Sequence, residues 1–369
     1  VIIKTLLAVE TSCDETSVSV VQAQYTDSDA GRLPQKVRIL AHIVESQTSH
    51  LAFGGVVPEV AARDHLLRIT PLAEQALETS GIDSSLLQGI AVTLGPGLIG
   101  ALMVGTLFAQ GLSLSLGIPL IGINHVDAHL APAILLRHFT PAHDVGAWLD
   151  AELPEFPALA LTVSGGHCHL SYLTLPHQRT LLGQTADDAC GEAFDKVGKL
   201  LGLPYPGGPH IETLAKQANA AAPAFKFAST LSDKSNRFGF SYSGLKTQVL
   251  DSVRRLLGHP QGRIQGAGLP DEVKANIAAA FQEAALGQLI DRLKNALREY
   301  PEVRSILVAG GVAANQQFRE KMAQATSLEV RFAPLSLCSD NATMIGLQAL
   351  LPESALRSPH PFSRYGEPV

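Results

Sequence analysis

Cysteine is scarce in this chain: Cys13, Cys168, Cys190 and Cys338 stand far apart and form no Cys-x-x-Cys pair. No disulfide framework can be drawn from them, and their number suits a reducing compartment. Charge is also thin, at 17% of residues, and sums to -6 with a pI near 6.1. No overall positive field therefore draws the protein to nucleic acid, so a nucleic-acid substrate would need a local basic patch or a partner protein. From Ser84 to Asn124 there is no acidic or basic residue at all. By length that stretch imitates a membrane span, but Gly95-Pro96-Gly97, Gly117 and Pro119 divide it into strand, loop, helix and strand. We expect a soluble protein in which 98–116 is a helix buried on most sides. Gly97, Ala101, Gly105, Ala109 and Ser113 recur along it every fourth residue, read as helix–sheet packing. No signal peptide precedes the first strand, which suggests a cytoplasmic protein, or a mitochondrial or plastid one if a transit segment has been removed.

Apolar residues make up 46% of the 369, enough for a large core, and the length favours two domains. Residues 5–10 read as an apolar strand ending in Glu10-Thr11-Ser12-Cys13-Asp14-Glu15-Thr16, with returning strands at 17–22 and 37–45. After Gly54-Gly55-Val56-Val57-Pro58-Glu59, an amphipathic helix places Leu66, Ile69, Ala73 and Leu77 on one face and stops at Gly81. The second half opens in the same way, with strand 158–163, the turn Ser164-Gly165-Gly166-His167, and strands 168–175 and 180–184. Two strand–turn–strand–strand units, each followed by helices, suggest a duplicated α/β architecture. The pieces are an N-terminal lobe (1–136), a proline-rich connector (137–157), a C-terminal lobe (158–338), and a final helix and tail (339–369) that could return to the first lobe.

Three stretches carry chemistry. In Asn124-His125-Val126-Asp127-Ala128-His129, placed at the start of a helix reaching Leu136, His125 and His129 are four apart and share a face. They are half of a metal site or two ordinary helix-end histidines, and spacing does not separate the two. The metalloprotease pattern would need Glu directly after the first histidine, where Val126 stands. Gly165-Gly166 can bring backbone N–H groups to a phosphate or can simply be a hairpin turn. Residues 225–248 read as irregular and mix Lys226, Lys234, Arg237 and Lys246 with aromatics, as a nucleic-acid surface or a ring-anchored loop would.

Together the motifs resemble the tRNA N6-adenosine threonylcarbamoyltransferase family. They are Glu10 to Thr16, Gly54 to Glu59, Gly95 to Gly100, Asn124 to His129, Val163 to His167, Gly191 to Lys196, Tyr205 to Pro209, Phe240 to Lys246, Gly310 to Asn315 and Ser339 to Asn341. The resemblance implies the two-lobed actin/hexokinase/heat-shock-ATPase superfold, an α/β fold. It implies one divalent metal, iron or zinc with iron preferred, held by His125, His129 and Asp340. It implies nucleotide and substrate contacts at Thr162, Val163, Ser164, Gly165, Gly166, Asp195, Gly208, Glu212 and Asn315. The bound nucleotide would be threonylcarbamoyl-AMP, ATP or AMP, with or without Mg2+. The implied reaction moves the threonylcarbamoyl group to N6 of the adenosine 3′ of the anticodon, in tRNAs reading codons that begin with A. The metal would act as a Lewis acid, the Ser164–Gly166 loop would stabilise the departing phosphate, and Asp14 and Glu15 would position the amine or a water. Partners would be tRNA with either a small paralogous protein and an ATPase, or a second copy of the chain, and no membrane. Glu212 departs from the aspartate of many relatives, and His169 lies outside the motif, as a surface residue or spare ligand. A small-molecule carbamoyltransferase, a kinase of the same superfold and a non-catalytic nucleotide scaffold are the alternatives.

Overall fold

The computed structural model describes residues 1–26, 33–50, 53, 55–219, 225–228, 237–258 and 268–352. The chain divides into two compact units. The first takes Val1–Pro154, Leu175–Gln178 and Arg331–Val369; the second takes Glu155–Thr174 and Arg179–Val330.

The first unit is built on a six-stranded sheet. Strands β1 (Ile2–Glu10), β2 (Glu15–Tyr25) and β3 (Lys36–Ser46) form an antiparallel meander, with Glu10 opposite Ser17. Helix α1 (Pro58–Ser80) then leads to β4 (Ile90–Gly95), which runs parallel to β1. Helix α2 (Ile99–Leu116) leads to β5 (Leu120–Asn124), parallel to β4. Proline at the first turn and Gly81 at φ 64° bound α1, since only glycine adopts that left-handed conformation without cost. Short helices α3 (His125–Ala128), α4 (Leu130–Leu135) and α5 (Pro141–Asp144) follow β5. Within 137–157, read as a connector, β6 (Trp148–Asp150) pairs with β3, and the Arg38 guanidinium lies 5.7 Å from the Trp148 ring centroid. The sheet order is β5-β4-β1-β2-β3-β6.

The second unit repeats the plan. Strands β7 (Ala158–Val163), β8 (Cys168–Leu175) and β9 (Gln178–Gln184) precede helices α6 (Cys190–Leu200), α7 (Gly207–Ala215), α8 (Ser243–Leu257) and α9 (Asp271–Glu299). Strand β10 (Ser305–Ala309), α10 (Gln316–Ala325) and β11 (Glu329–Phe332) complete the order β11-β10-β7-β8-β9. Position for position this matches β5-β4-β1-β2-β3. In both sheets the first two strands are antiparallel and the first and fourth are parallel. The duplication expected from the strand pattern is thus present in the topology. The last helix, α11 (Ala342–Ala349), belongs to the first unit, and a Cβ on Gly346 would meet Val21 at 2.7 Å.

Three local expectations need correction. The buried face of α1 holds His65, Ile69, Leu72, Ala73 and Ala76, not Leu66, which is 67% exposed. His65 takes the inward place because Thr16 Oγ1 at 2.8 Å and the Cys13 carbonyl at 3.0 Å satisfy both ring nitrogens. Helix α2 is not buried on most sides. It packs through Ala101, Gly105 and Ala109 and leaves Ile99, Met103, Leu107 and Leu114 exposed. Its small residues are required by close approach, since a Cβ on Gly105 would stand 2.3 Å from Thr11 Oγ1. Finally, the stretch read as irregular to 248 becomes helix at Ser243. There Asp187 accepts hydrogen bonds from Ser241 Oγ, Ser243 Oγ and the Tyr242 and Ser243 backbone N–H groups.

Candidate functional site

In the first unit, β5 delivers Asn124 to the start of α3, where its side chain accepts from the Val126 and Asp127 N–H groups. This cap fixes His125 as the first helical residue and brings His129 round one turn later. From the other end of the chain, Asn341 caps α11 by accepting from Met344 N–H, and its amide donates to Ser339 O at 2.7 Å. Asp340 is held between those two bonded residues. Its Oδ1 lies 3.2 Å from His129 Nε2 and 3.5 Å from His125 Nε2.

The three residues offer ligand atoms within 4.8 Å of one another. Ligands bonded to a tetrahedral metal at about 2.0–2.1 Å stand roughly 3.3 Å apart, so the two nitrogen–oxygen separations suit an ion. Both histidines are buried; His129 Nδ1 has no hydrogen-bond partner, and Nε2 has only the Asp340 carboxylate beside it, with no hydrogen bond formed. A buried nitrogen left without a hydrogen bond is costly, and a cation between His129 Nε2 and Asp340 would remove that cost at Nε2. Two imidazoles and a carboxylate suit zinc and iron alike. The residues present fit a divalent metal.

The surroundings are acidic. Burial opposes the charged form of His125, but Asp340 and Glu10 outweigh it and lift its pKa to about 9. Metal must therefore displace a proton there. Burial, followed by Asp340 and Asp14, pushes the Glu15 carboxyl well above the usual carboxylate range. Sequence reasoning passed over Glu10, which is completely buried. The available signal was an acidic residue closing an otherwise apolar strand.

The second unit contains the other nine proposed contacts, which differ in what they can offer a ligand. Ser164 to His167 forms the β7–β8 turn, closed by Ser164 N–H donating to His167 O at 2.7 Å and His167 N–H donating to Ser164 Oγ at 3.1 Å. Gly165 and Gly166 are exposed, and a Cβ on either would meet nothing within 4 Å. Gly191 and Glu192 N–H, at the start of α6, donate to the carbonyls of Ser164 and Gly165. Thr162 and Val163 are buried in β7. Asp195 accepts from Gly207 N–H at 2.7 Å, and Gly208 next to it is open. Glu212 accepts from Gln316 N–H at 3.0 Å, so its longer arm joins α7 to the start of α10. Asn315 caps α10 through its oxygen and donates to Gln282 through its nitrogen.

His169 is neither a surface residue nor part of a three-ligand group among the described residues. It is buried, and burial followed by Arg179 lowers its pKa to about 4. Of the proposed nucleic-acid patch, Lys226 is exposed, Arg237 pairs with Glu299 and lies over Phe238, and Lys234 falls outside the described residues.

Comparison with known proteins adds a second line. The profile of the family described as TsaD, tRNA N6-adenosine threonylcarbamoyltransferase, matches residues 38–347. The curated protein of that name from Moorella thermoacetica is 41% identical over 350 residues, covering 93% of this chain and 90% of its own. The Chlamydia felis protein of that name is 39% identical over 362 residues, covering 97% and 95%. Among solved structures, full-length HypF in a phosphate- and nucleotide-bound form aligns at TM-score 0.53 and 13% identity, over 94% of this chain and 46% of HypF. HypF of T. kodakarensis gives TM-score 0.55 at 12% identity, over 94% and 47%. This chain spans about half of HypF's length, and that likeness is one of fold: the duplicated α/β plan of the actin/hexokinase/heat-shock-ATPase superfold.

Proposed function

The chain belongs to the tRNA N6-adenosine threonylcarbamoyltransferase family and is an acyltransferase acting on tRNA, and from that premise we propose how its residues divide the work. The donor is threonylcarbamoyl-AMP and the acceptor is the adenosine 3′ of the anticodon in tRNAs that read codons beginning with A. The N6 amine attacks the carbamoyl carbon, the bond from that carbon to the AMP phosphate oxygen breaks, AMP leaves with the electron pair, and the attacking nitrogen gives up one proton to solvent. The amine is a weak nucleophile, so positioning and charge stabilisation have to supply most of the acceleration. The exposed Gly165 and Gly166 N–H groups receive the AMP phosphate, and Gly208 leaves room for the nucleoside. A divalent ion, iron or zinc with iron preferred, held by His125, His129 and Asp340, would supply Lewis acidity toward a carbamoyl or phosphate oxygen. Asp14, on the turn after β1, and Glu15, the first residue of β2, position the amine or a water. The match to curated transferases over nearly the whole chain carries the reading. Depleting the protein and measuring tRNA nucleosides by mass spectrometry should show loss of threonylcarbamoyladenosine. Unchanged levels would favour a small-molecule transferase or kinase instead.

We also propose that the protein works with a small paralogous partner and an ATPase, or as a homodimer. The support is apolar surface on adjacent helices: Leu66 and Leu67 on α1, and Ile99, Met103, Leu107 and Leu114 on α2. Large apolar side chains left exposed on neighbouring helices suit an interaction site. Light scattering should show association that Leu107→Glu abolishes; a fully active monomer indifferent to every candidate partner would sink the idea.

A further inference from the structure

Glu10 has no part in the chemistry described so far, yet a carboxylate is almost never completely buried unless it is paired. Its Oε1 accepts the Ser12 N–H at 2.5 Å. Its Oε2 accepts the Thr93 hydroxyl at 2.5 Å and stands 3.2 Å from His125 Nδ1. The opposite nitrogen of that ring, Nε2, is the one 3.5 Å from Asp340. His129 packs edge-on against His125 with centroids 4.8 Å apart, but its own Nδ1 has no hydrogen-bond partner. The two histidines are therefore held unequally.

We propose that Glu10 is a positioning residue that keeps His125 in its Nδ1–H tautomer, leaving the Nε2 lone pair directed at the ion. An ionised carboxylate only accepts, so the nitrogen facing it keeps its proton, and the proton that the ion displaces comes from Nε2. Ser12 Oγ, also 3.2 Å from His125 Nδ1, can donate or accept and cannot make that choice alone. This inference rests on the metal reading of His125, His129 and Asp340.

Two substitutions separate positioning from mere packing. In Glu10→Gln the fixed Ser12 N–H claims the amide oxygen, so the amide nitrogen occupies the place of Oε2 and donates into His125 Nδ1. The proton then moves to Nε2, the wrong side for a metal. In Glu10→Ala that donor is absent, and Ser12 Oγ can accept from Nδ1–H. Zinc affinity of the purified full-length chain, read by chelator competition, should fall about 10–100-fold in Glu10→Gln, and at least as far as in Glu10→Ala. A packing role predicts the opposite order, because glutamine fills the space and alanine leaves a cavity. Glutamine binding zinc as tightly as wild type, or more tightly than alanine, overturns the proposal. Nitrogen-15 NMR of the zinc-loaded wild type needs no variant: His125 should show a protonated Nδ1, and a bare Nδ1 overturns it. If His125→Ala binds zinc as well as wild type, the underlying metal reading has failed, and this inference fails with it in a distinguishable way.

Discussion

Replacing His125 and His129 together by alanine should leave the purified protein without tightly bound metal and without transfer activity, while AMP still binds. The pair supplies two of the three ligand atoms in the cluster, and the Asp340 carboxylate that remains is a single ligand. Losing two inner ligands should cost more than the roughly 10–100-fold typical of their outer partners. AMP binding is expected to persist because its proposed loop, Ser164–Gly166, belongs to the other unit. Wild type should gain stability from added metal, about 2.7 kcal/mol at a hundred times the dissociation constant, and the double variant should gain none. Metal analysis, thermal melts with and without zinc, and AMP calorimetry read the three effects. Full metal content in the double variant, lost only when His167 or His169 is changed, would move the site. The burial of His169 beside Arg179 argues against that outcome.

Much of this centre was legible in the sequence, but unevenly. The i, i+4 spacing of His125 and His129 is a local property, so it survives without a structure. Asp340 is brought to them only by the return of α11 to the first unit, which no local pattern encodes; family resemblance alone suggested it. The duplicated sheets were legible because strand alternation and turn glycines are local too. The errors fall where a polar side chain overrode the apolar pattern. His65 displaced Leu66 from the inner face of α1, because a buried acceptor, the Cys13 carbonyl, and a buried hydroxyl donor, Thr16 Oγ1, were available to it. Asp187 organised Ser241–Ser243 from more than fifty residues away, so the start of α8 looked like loop. The exposed face of α2 was hidden for a different reason: an apolar, uncharged helix reads as core whether it meets its own protein or another. Asn315 and Glu212 were proposed as ligand contacts, yet their hydrogen bonds also make them helix-start devices. Type and position alone do not separate those roles.

The glycines of the second unit provide a sharper test, because two of them should fail in opposite ways. Gly310→Ala should destabilise the protein by a few kcal/mol and abolish AMP binding. Gly166→Ala should leave stability within about 0.5 kcal/mol and weaken AMP binding only. Gly310 sits at φ 92° and ψ 166°, a region essentially reserved for glycine, at a cost of about 1–3 kcal/mol for any other residue. An added Cβ there would stand 2.4 Å from Val163 O and 2.6 Å from its carbonyl carbon. Backbone cannot swing aside as a side chain can, so β7 and β10 must separate at the point where Val163 enters the Ser164–Gly166 turn. Overpacking of that kind adds roughly another 1–3 kcal/mol. At Gly166 a Cβ meets nothing within 4 Å of the protein, so the fold has no reason to require glycine there. A phosphate lying on the turn does, because a methyl group would hold it away from the N–H groups. Urea unfolding and AMP calorimetry on both variants separate the two effects. A Gly166→Ala protein that binds AMP like wild type would remove the turn from the nucleotide site, whereas wild-type stability in Gly310→Ala would refute only the packing argument. The two glycines are therefore informative as a pair: one lies where the fold leaves no space, the other where only a ligand would need it.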